Sequence, residues 1–295
     1  MTYVLIAVIV VLGLGHFTPD LAQVRRYDGF AHWLGWLSRR LPPTTWESAY
    51  ALLVSIGVPV LAVAIVQSIL AEPLDGVLGL LFAIVALFYA WGPRDLDRDT
   101  NAAATAPPVE QPAAAAAFLG GPVPQTGAAM AALVGRAAQR RWFGPLFWFI
   151  VLGAFGAILY RLAQLAAEED VEMLSPAQRS TSARLLAILD WPVAWLMSLG
   201  MAIATDFDTV NTLCRARVRA VGGVFQFDPG LVPAVTAAAV KADLDESEGE
   251  GADGFDDVAL VNRGVLLRDA LAVVWRVLVV WLAILALTAL AGLLT

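Results

Sequence analysis

The stretch Arg140-Arg141-Trp142-Phe143-Gly144-Pro145-Leu146-Phe147-Trp148-Phe149, continuing to Ile158-Leu159-Tyr160-Arg161, decides how this chain is read. Apolar side chains fill it between arginines at either end. A Gly-Pro step lies near its start, and Gly153-Ala154-Phe155-Gly156-Ala157 puts small residues in its middle. About twenty residues of apolar helix cross the hydrocarbon core of a bilayer, and small residues let two helix backbones approach closely there. The stretch predicts a membrane span over about 142–165, packed tightly through Gly153, Gly156 and Ala157.

The rest of the chain agrees with a membrane setting. Of its 295 residues 59% are hydrophobic and only 15% charged, and the mean hydropathy is +0.71. Soluble domains carry nearer a quarter charged residues. The expected fold is all-α, a polytopic membrane helical bundle of about six spans, one of them short, with amphipathic cytoplasmic helices. A net charge of −7 argues against a nucleic-acid partner, which favours basic proteins. Cys214 is the single cysteine, so no internal disulfide can form. The N-terminus has neither a basic leader nor a small-residue cleavage site, and reads as an uncleaved first span.

Working outward, residues 1–17 form the short span. Phe30, Trp33, Leu34, Trp36 and Leu37 recur at helical spacing before Arg39-Arg40, as in a helix lying on the membrane surface. Residues 49–71 form a second span that Pro59 should kink, which a bundle tolerates when a neighbour satisfies the freed carbonyl. A tight Glu72-Pro73-Leu74-Asp75 connection leads to a third span at about 75–92. A fifth covers about 191–206, with Asp190 as its N-cap and Pro192 in its first turn, or is a longer kinked helix from near 182. The sixth covers about 269–294.

The organisation is therefore 1–92, three spans with the amphipathic helix; 93–141, a cytoplasmic loop; 142–208, spans four and five; 209–268, a cytoplasmic loop with an acidic segment and room for a helix over 231–241; and 269–295, the last span. Residues 101–127, rich in Ala, Pro and Gly, read as a flexible loop with room for one short helix. Residues 243–257 are strongly acidic and read as a mobile segment.

Basic residues select the orientation. With the N-terminus outside, fifteen of the nineteen Lys and Arg face the cytoplasm, and only Arg161, Arg179 and Arg184 lie outside. Both termini are then periplasmic. Trp46, Trp91, Trp142 and Trp275 fall near the inner interface, and Trp191 and Trp195 near the outer one.

This topology gathers the polar candidates on one face. Arg94, Asp95, Arg140, Arg141 and Arg276 are the candidate anion or substrate ligands. Arg94-Asp95 reads either as a phosphate or carboxylate clamp or as a cationic cap at a helix C-terminus. Arg140-Arg141 reads as a positive-inside anchor or as part of an anion pocket. Asp206 and Asp208 read as ligands for Mg²⁺ with a phosphorylated ligand, or as ion-pair partners of Arg276 or Arg94. His16 is a weak ligand candidate. No phosphate loop, zinc motif, dinucleotide fingerprint or serine-histidine-acid pattern is present, so no catalytic residue is assigned.

Several motifs then converge on one family. The Arg141–Phe149 stretch with Gly156-Ala157-Ile158-Leu159-Tyr160-Arg161 resembles the pattern of AmpE proteins and of the related CobD/CbiB membrane proteins. So do Gly92-Pro93-Arg94-Asp95-Leu96, Leu189-Asp190-Trp191-Pro192-Val193, Asp206-Phe207-Asp208, and Val274-Trp275-Arg276-Val277-Leu278 with Trp281-Leu282. The AmpE resemblance implies a bacterial inner-membrane regulatory or signalling modulator linked to β-lactamase induction, with a protein partner and no cofactor. The CobD/CbiB resemblance implies the alternative, an amide-forming synthetase using an anion or Mg²⁺-phosphate site at the cytoplasmic mouth. That branch carries an acidic, amide-rich run where this chain has Ala138-Gln139-Arg140-Arg141.

Overall fold

Helices account for nearly all regular structure among the described residues of the computed structural model, which are 2–17, 25, 27–71, 76–92, 94–168, 174–248 and 263–294; no strand occurs among them. The His16 side chain, Asp20, Pro93 and residues 249–257 of the acidic segment lie outside that set. In chain order the helices are α1 (Thr2–Phe17), α2 (Asp28–Arg40), α3 (Pro43–Trp46), α4 (Ala51–Leu70), α5 (Val77–Ala90), α6 (Leu96–Thr105), α7 (Gln111–Leu119) and α8 (Gly127–Ala138). A π-helical turn at Gln139–Phe143 follows, then α9 (Gly144–Leu152), α10 (Ala154–Glu168), α11 (Pro176–Ala204), α12 (Phe207–Val221), α13 (Leu231–Glu248) and α14 (Arg263–Leu294).

Among the described residues three helices, Ala51–Leu70, Pro176–Ala204 and Arg263–Gly292, are long and apolar enough to cross a membrane. Tyr3–Gly15, Val77–Ala90 and Ala154–Ala167 are apolar but shorter. The exposed face of α4 carries Leu53, Val58, Leu61, Ile65 and Ile69, and that of α14 carries Val279, Ile284, Leu287 and Leu290. Continuous apolar stripes of this kind are costly against water and neutral against lipid tails.

The chain divides into two compact units. The first comprises Met1–Pro93, Gly144–Asp190 and Thr288–Thr295; the second comprises Arg94–Phe143 and Trp191–Leu287.

In the first unit, α4 and α10 run antiparallel. Ala51, Leu52 and Ile56 pack with Leu162, Leu165 and Ala166, and Phe30, Leu34 and Leu37 of the amphipathic α2 complete the cluster. Pro59 has no N–H, so the Ser55 carbonyl loses its helical donor. The Trp33 indole of α2 supplies it at 3.0 Å. The carbonyl freed by the proline is thus satisfied by a neighbouring helix.

The predicted single span over 142–165 is replaced by a hairpin. Gly153 takes φ +76°, a left-handed conformation that side chains disfavour, and the chain reverses there between α9 and α10. The reversal places the Tyr160 ring where a β-carbon on Gly144 would stand, and the Trp148 carbonyl against Gly156. Sixteen residues of unbroken helix would hold Gly144 and Tyr160 about 24 Å apart. The close approach expected at Gly153, Gly156 and Ala157 is therefore made by the helix just before them and, at Gly153, by Gln67 of α4. Gln67 serves the broken backbone: its Oε1 accepts from Phe155 N–H at 3.1 Å and its Nε2 donates to the Leu152 carbonyl at 3.4 Å.

In the second unit, residues 94–141 are more ordered than a loop. Helices α6, α7 and α8 bury Leu96, Ala103, Ala104, Ala115 and Leu119. The Ala-rich composition that suggested flexibility is also the composition of greatest helix propensity. Gly135 of α8 receives Thr236 of α13 in the space its missing side chain leaves, and Val134, Ala138, Val235, Ala239 and Met201 are buried. The π turn is explained by Pro145, which cannot donate to the Arg141 carbonyl; an extra residue per turn relieves the clash. The loop expected over 209–268 likewise holds α12 and α13, and Asp243 belongs to α13.

Candidate functional site

The sequence candidates in the second unit sort into three local arrangements. The first centres on Asp99, a buried carboxylate of α6. Arg141 Nη1 donates to its Oδ2 at 2.7 Å, and Arg141 Nη2 donates to the Phe118 carbonyl at 2.5 Å. Arg94 Nε stands 3.5 Å from Asp99 Oδ1, with its guanidinium 5.4 Å from the Phe118 ring centroid. The Arg141 and Asp99 side chains are 11% and 9% exposed, whereas that of Arg94 is 55% exposed. Arg141 is thus a desolvated, paired cation, and Arg94 a surface one. Arg140 is half-buried in the π turn. Asp95 is the N-cap of α6, accepting from Asp97 N–H at 2.8 Å and Arg98 N–H at 3.2 Å. The cap formed here is thus an acidic one at a helix N-terminus and differs from the cationic C-terminal cap expected of Arg94-Asp95. On the same helix Asp97 accepts from the Trp275 indole at 2.7 Å, and Trp275 packs edge-on against Trp142.

The second arrangement holds Arg276. It lies on the exposed side of α14, ion-paired with Asp243 of α13 and donating to the Ala204 carbonyl at 3.4 Å. The carboxylate expected for it from Asp206 or Asp208 comes from Asp243 instead. Asp206 caps α12, accepting from Asp208 N–H at 3.2 Å and Thr209 N–H at 3.1 Å. The Thr209 bonds, side chain first and then backbone, hold the Asp206 carboxyl below its ordinary range. Asp208 is exposed in the first turn. No cluster of three or more His, Cys, Asp or Glu able to hold a metal occurs among the described residues.

The third arrangement is a pocket that sequence reasoning did not find. Trp191, Trp195, Phe227, Arg217, Asp228 and Gln226 line it. Arg217 Nε and Nη2 clasp the two Asp228 oxygens at 2.7 and 2.6 Å, and Gly230 N–H donates to Asp228 Oδ1 at 2.9 Å. Burial pushes the Asp228 carboxyl up, and the Arg217 hydrogen bond, the Gly230 N–H and the Arg217 charge more than offset it, so its pKa is lowered. Arg217 is raised in return, chiefly by the same hydrogen bond. The sequence placed Trp191 and Trp195 at the outer membrane surface and Arg217 in a cytoplasmic segment. The structure puts them in one pocket, because α12 turns back along α11.

The first unit contains a further buried polar cluster at the C-terminal end of α5. Arg161 is 1% exposed. Its Nε donates to the Ala90 carbonyl at 2.8 Å and its Nη2 to the same oxygen at 2.5 Å, and Nη1 donates to the Gln164 side-chain oxygen. The Tyr27 hydroxyl donates to the Tyr89 carbonyl at 2.8 Å, and Arg25 Nη1 to the Gly92 carbonyl at 3.2 Å. Terminal helix carbonyls carry the negative end of the helix dipole, so cations gather there. Beside this cluster the Tyr160 hydroxyl donates to Asp190 at 2.6 Å. Asp190 lies in the interior of α11, 2% exposed, and is not a helix cap. The longer helix was the better of the two readings. A carboxylate inside an apolar run is itself a signal of a buried polar partner, and that signal was available at Asp190.

No family model, curated protein or solved structure matches this chain.

Proposed function

We propose that this chain is a multi-pass bacterial inner-membrane protein of the AmpE type, a regulatory or signalling modulator of β-lactamase induction that acts through a protein partner. The observation that carries this reading over the synthetase alternative is the state of Arg141. Its guanidinium is already engaged by Asp99 and the Phe118 carbonyl, and so is not preset for a substrate phosphate or carboxylate. Arg276 is engaged by Asp243, and Asp206 serves as a cap. A synthetase of the CobD/CbiB type needs free cationic and metal-binding groups converging on one cavity.

In this reading α1, α4, α5, α11 and α14 are the membrane helices, and α9–α10 is a re-entrant hairpin packed on α4 and α5. The N-terminus and the α4–α5 connection lie on the periplasmic side. Proximity of Tyr3 to Gly76 supports that common side.

The test is complementation. A host lacking its own AmpE-type protein is given this chain, and β-lactamase activity is measured with and without inducer, alongside membrane abundance of the chain. Restored induction is expected. Normal abundance with no effect on induction overturns the reading, and Mg²⁺-dependent corrinoid amide formation by purified protein would replace it with the synthetase.

A further inference from the structure

Helix α2 divides by face. Phe30, Leu34 and Leu37 are buried in the cluster with α4 and α10, whereas His32, Trp36, Arg39 and Arg40 are exposed. His32, Trp36 and Arg40 are spaced by four and share one line on the helix surface. Trp36 is 45% exposed and held from behind. Its ring stacks on Trp33 at 5.3 Å and 17°, and the Trp33 indole is pinned to the Ser55 carbonyl at 3.0 Å. The Arg40 guanidinium lies over the Trp36 ring, 5.1 Å from its centroid. A guanidinium stacked in this way keeps its in-plane N–H donors for an oxyanion. Neither Arg39 nor Arg40 has a carboxylate partner among the described residues.

The depth of this face follows from α4. Its 20 residues measure about 30 Å, the thickness of a bilayer's hydrocarbon core. Exposed tyrosines stand at both ends: Tyr50 immediately before Ala51, and Tyr3 beside Gly76, past the other end. Aromatic rings of this kind settle at the two membrane interfaces. Ser55 lies four residues inside the Tyr50 end, about 6 Å along the helix. Amphipathic helices of the interface sit about 5–10 Å deep, at the boundary of headgroup and acyl chain. Trp33 is fixed to α4 at that depth, and Trp36 is stacked on it. The exposed apolar stripe of α4 begins at Leu53, within one turn of the same level.

We infer that the exposed face of α2 binds the headgroup of an anionic phospholipid, with Trp36 at the acyl boundary and Arg39 and Arg40 on the phosphate. Charge and depth together select lipid. Phosphate suits the arginine fork, and each cationic side chain near an anionic surface favours it by roughly five-fold. A soluble acidic partner would match the arginines and would have to displace the leaflet around Trp36 to reach them. This assignment rests on α4 crossing a membrane and not on β-lactamase regulation, so loss of complementation leaves it standing.

The test uses the full chain and two measurements. In mild detergent, native mass spectrometry counts phosphatidylglycerol and phosphatidylcholine retained from equal concentrations. Phosphatidylglycerol should be preferred. Arg39→Gln with Arg40→Gln should cut that preference by roughly five-fold per arginine, and the double lysine variant should keep most of it. In nanodiscs containing phosphatidylglycerol, Cys214→Ser removes the native thiol and His32→Cys carries a nitroxide on the Trp36 line. Dissolved oxygen should relax the nitroxide more than a water-soluble nickel chelate does. The labelled chain keeps both arginines, so its reading stands whatever the glutamine pair does to folding. Equal retention of the two lipids, or a preference indifferent to the glutamine pair, overturns the inference. So does a nitroxide that the nickel chelate reaches freely, as on a helix facing water or a soluble partner.

Discussion

The Tyr160 ring occupies the space that a β-carbon on Gly144 would need. The contact joins the first turn of α9 to the middle of α10 and closes the hairpin that Gly153 opens. Gly144→Ala should therefore overpack the hairpin, at a cost of about 1–3 kcal/mol. Thermal unfolding in detergent reads the loss. Tyr160→Ala in the same chain should recover part of it, although that variant also removes the hydrogen bond to Asp190.

Gln67 satisfies both a donor and an acceptor at the hairpin reversal. Gln67→Leu keeps the volume and leaves Phe155 N–H and the Leu152 carbonyl without that partner. An unsatisfied buried polar group costs about 1–3 kcal/mol, so the expected effect exceeds that of an ordinary surface change. Amide hydrogen exchange should quicken at Phe155 before the rest of the unit. Unchanged protection at Phe155 would mean that water serves the turn.

Arg141 and Asp99 form a pair whose members lose most when separated. Arg141→Gln leaves Asp99 with only the exposed Arg94, and removing one partner of a buried pair costs about 3 kcal/mol or more. Asp99→Asn should cost a similar amount. The double variant should be less damaging than the sum of the two, and a double-mutant cycle on melting midpoints measures the coupling. Additive losses would show that the pair contributes no coupling.

Asp228 gives a signed pH dependence. Its pKa is lowered in the folded chain, so its contribution to stability is present above the ordinary carboxylate range. It is lost as pH falls through the lower folded value. The protein should lose stability on acidification through that window, and Asp228→Asn should be less stable at neutral pH with a flatter acid limb. Melting curves from neutral pH down to the acid limb decide it; a variant with the parent's acid limb would remove Asp228 from the account.

Local chemistry was legible in the sequence, and chain reversal was not. Pro59 announces a carbonyl in need of a donor, and Trp33 provides one. The small residues at Gly153–Ala157 announce close backbone approach, but hydropathy has no sign for direction. A continuous apolar run therefore reads as one span when it is two helices folded on each other. The same blindness hid the return of α12 along α11, which brings Arg217 to Trp191. Residues 101–127 were misread for a different reason: alanine is common to flexible loops and to good helices, and only burial of Ala103, Ala104 and Ala115 separates them. The pairing of Arg276 with Asp243 depended on where α13 lies, which spacing along the chain does not encode.

The Gly153 reversal also bears on how the protein is assembled. A helix of nine residues such as α9 is about half the length needed to halt a translocating chain and partition into lipid unaided. Its returning helix, α10, carries Arg161 at mid-length, bonded to the Ala90 carbonyl at the end of α5 and to Gln164. The hairpin draws its polar partners from helices that precede it in the chain, Gln67 of α4 at its turn and the Ala90 carbonyl of α5 at Arg161. Synthesis from the N-terminus delivers the parts in that order.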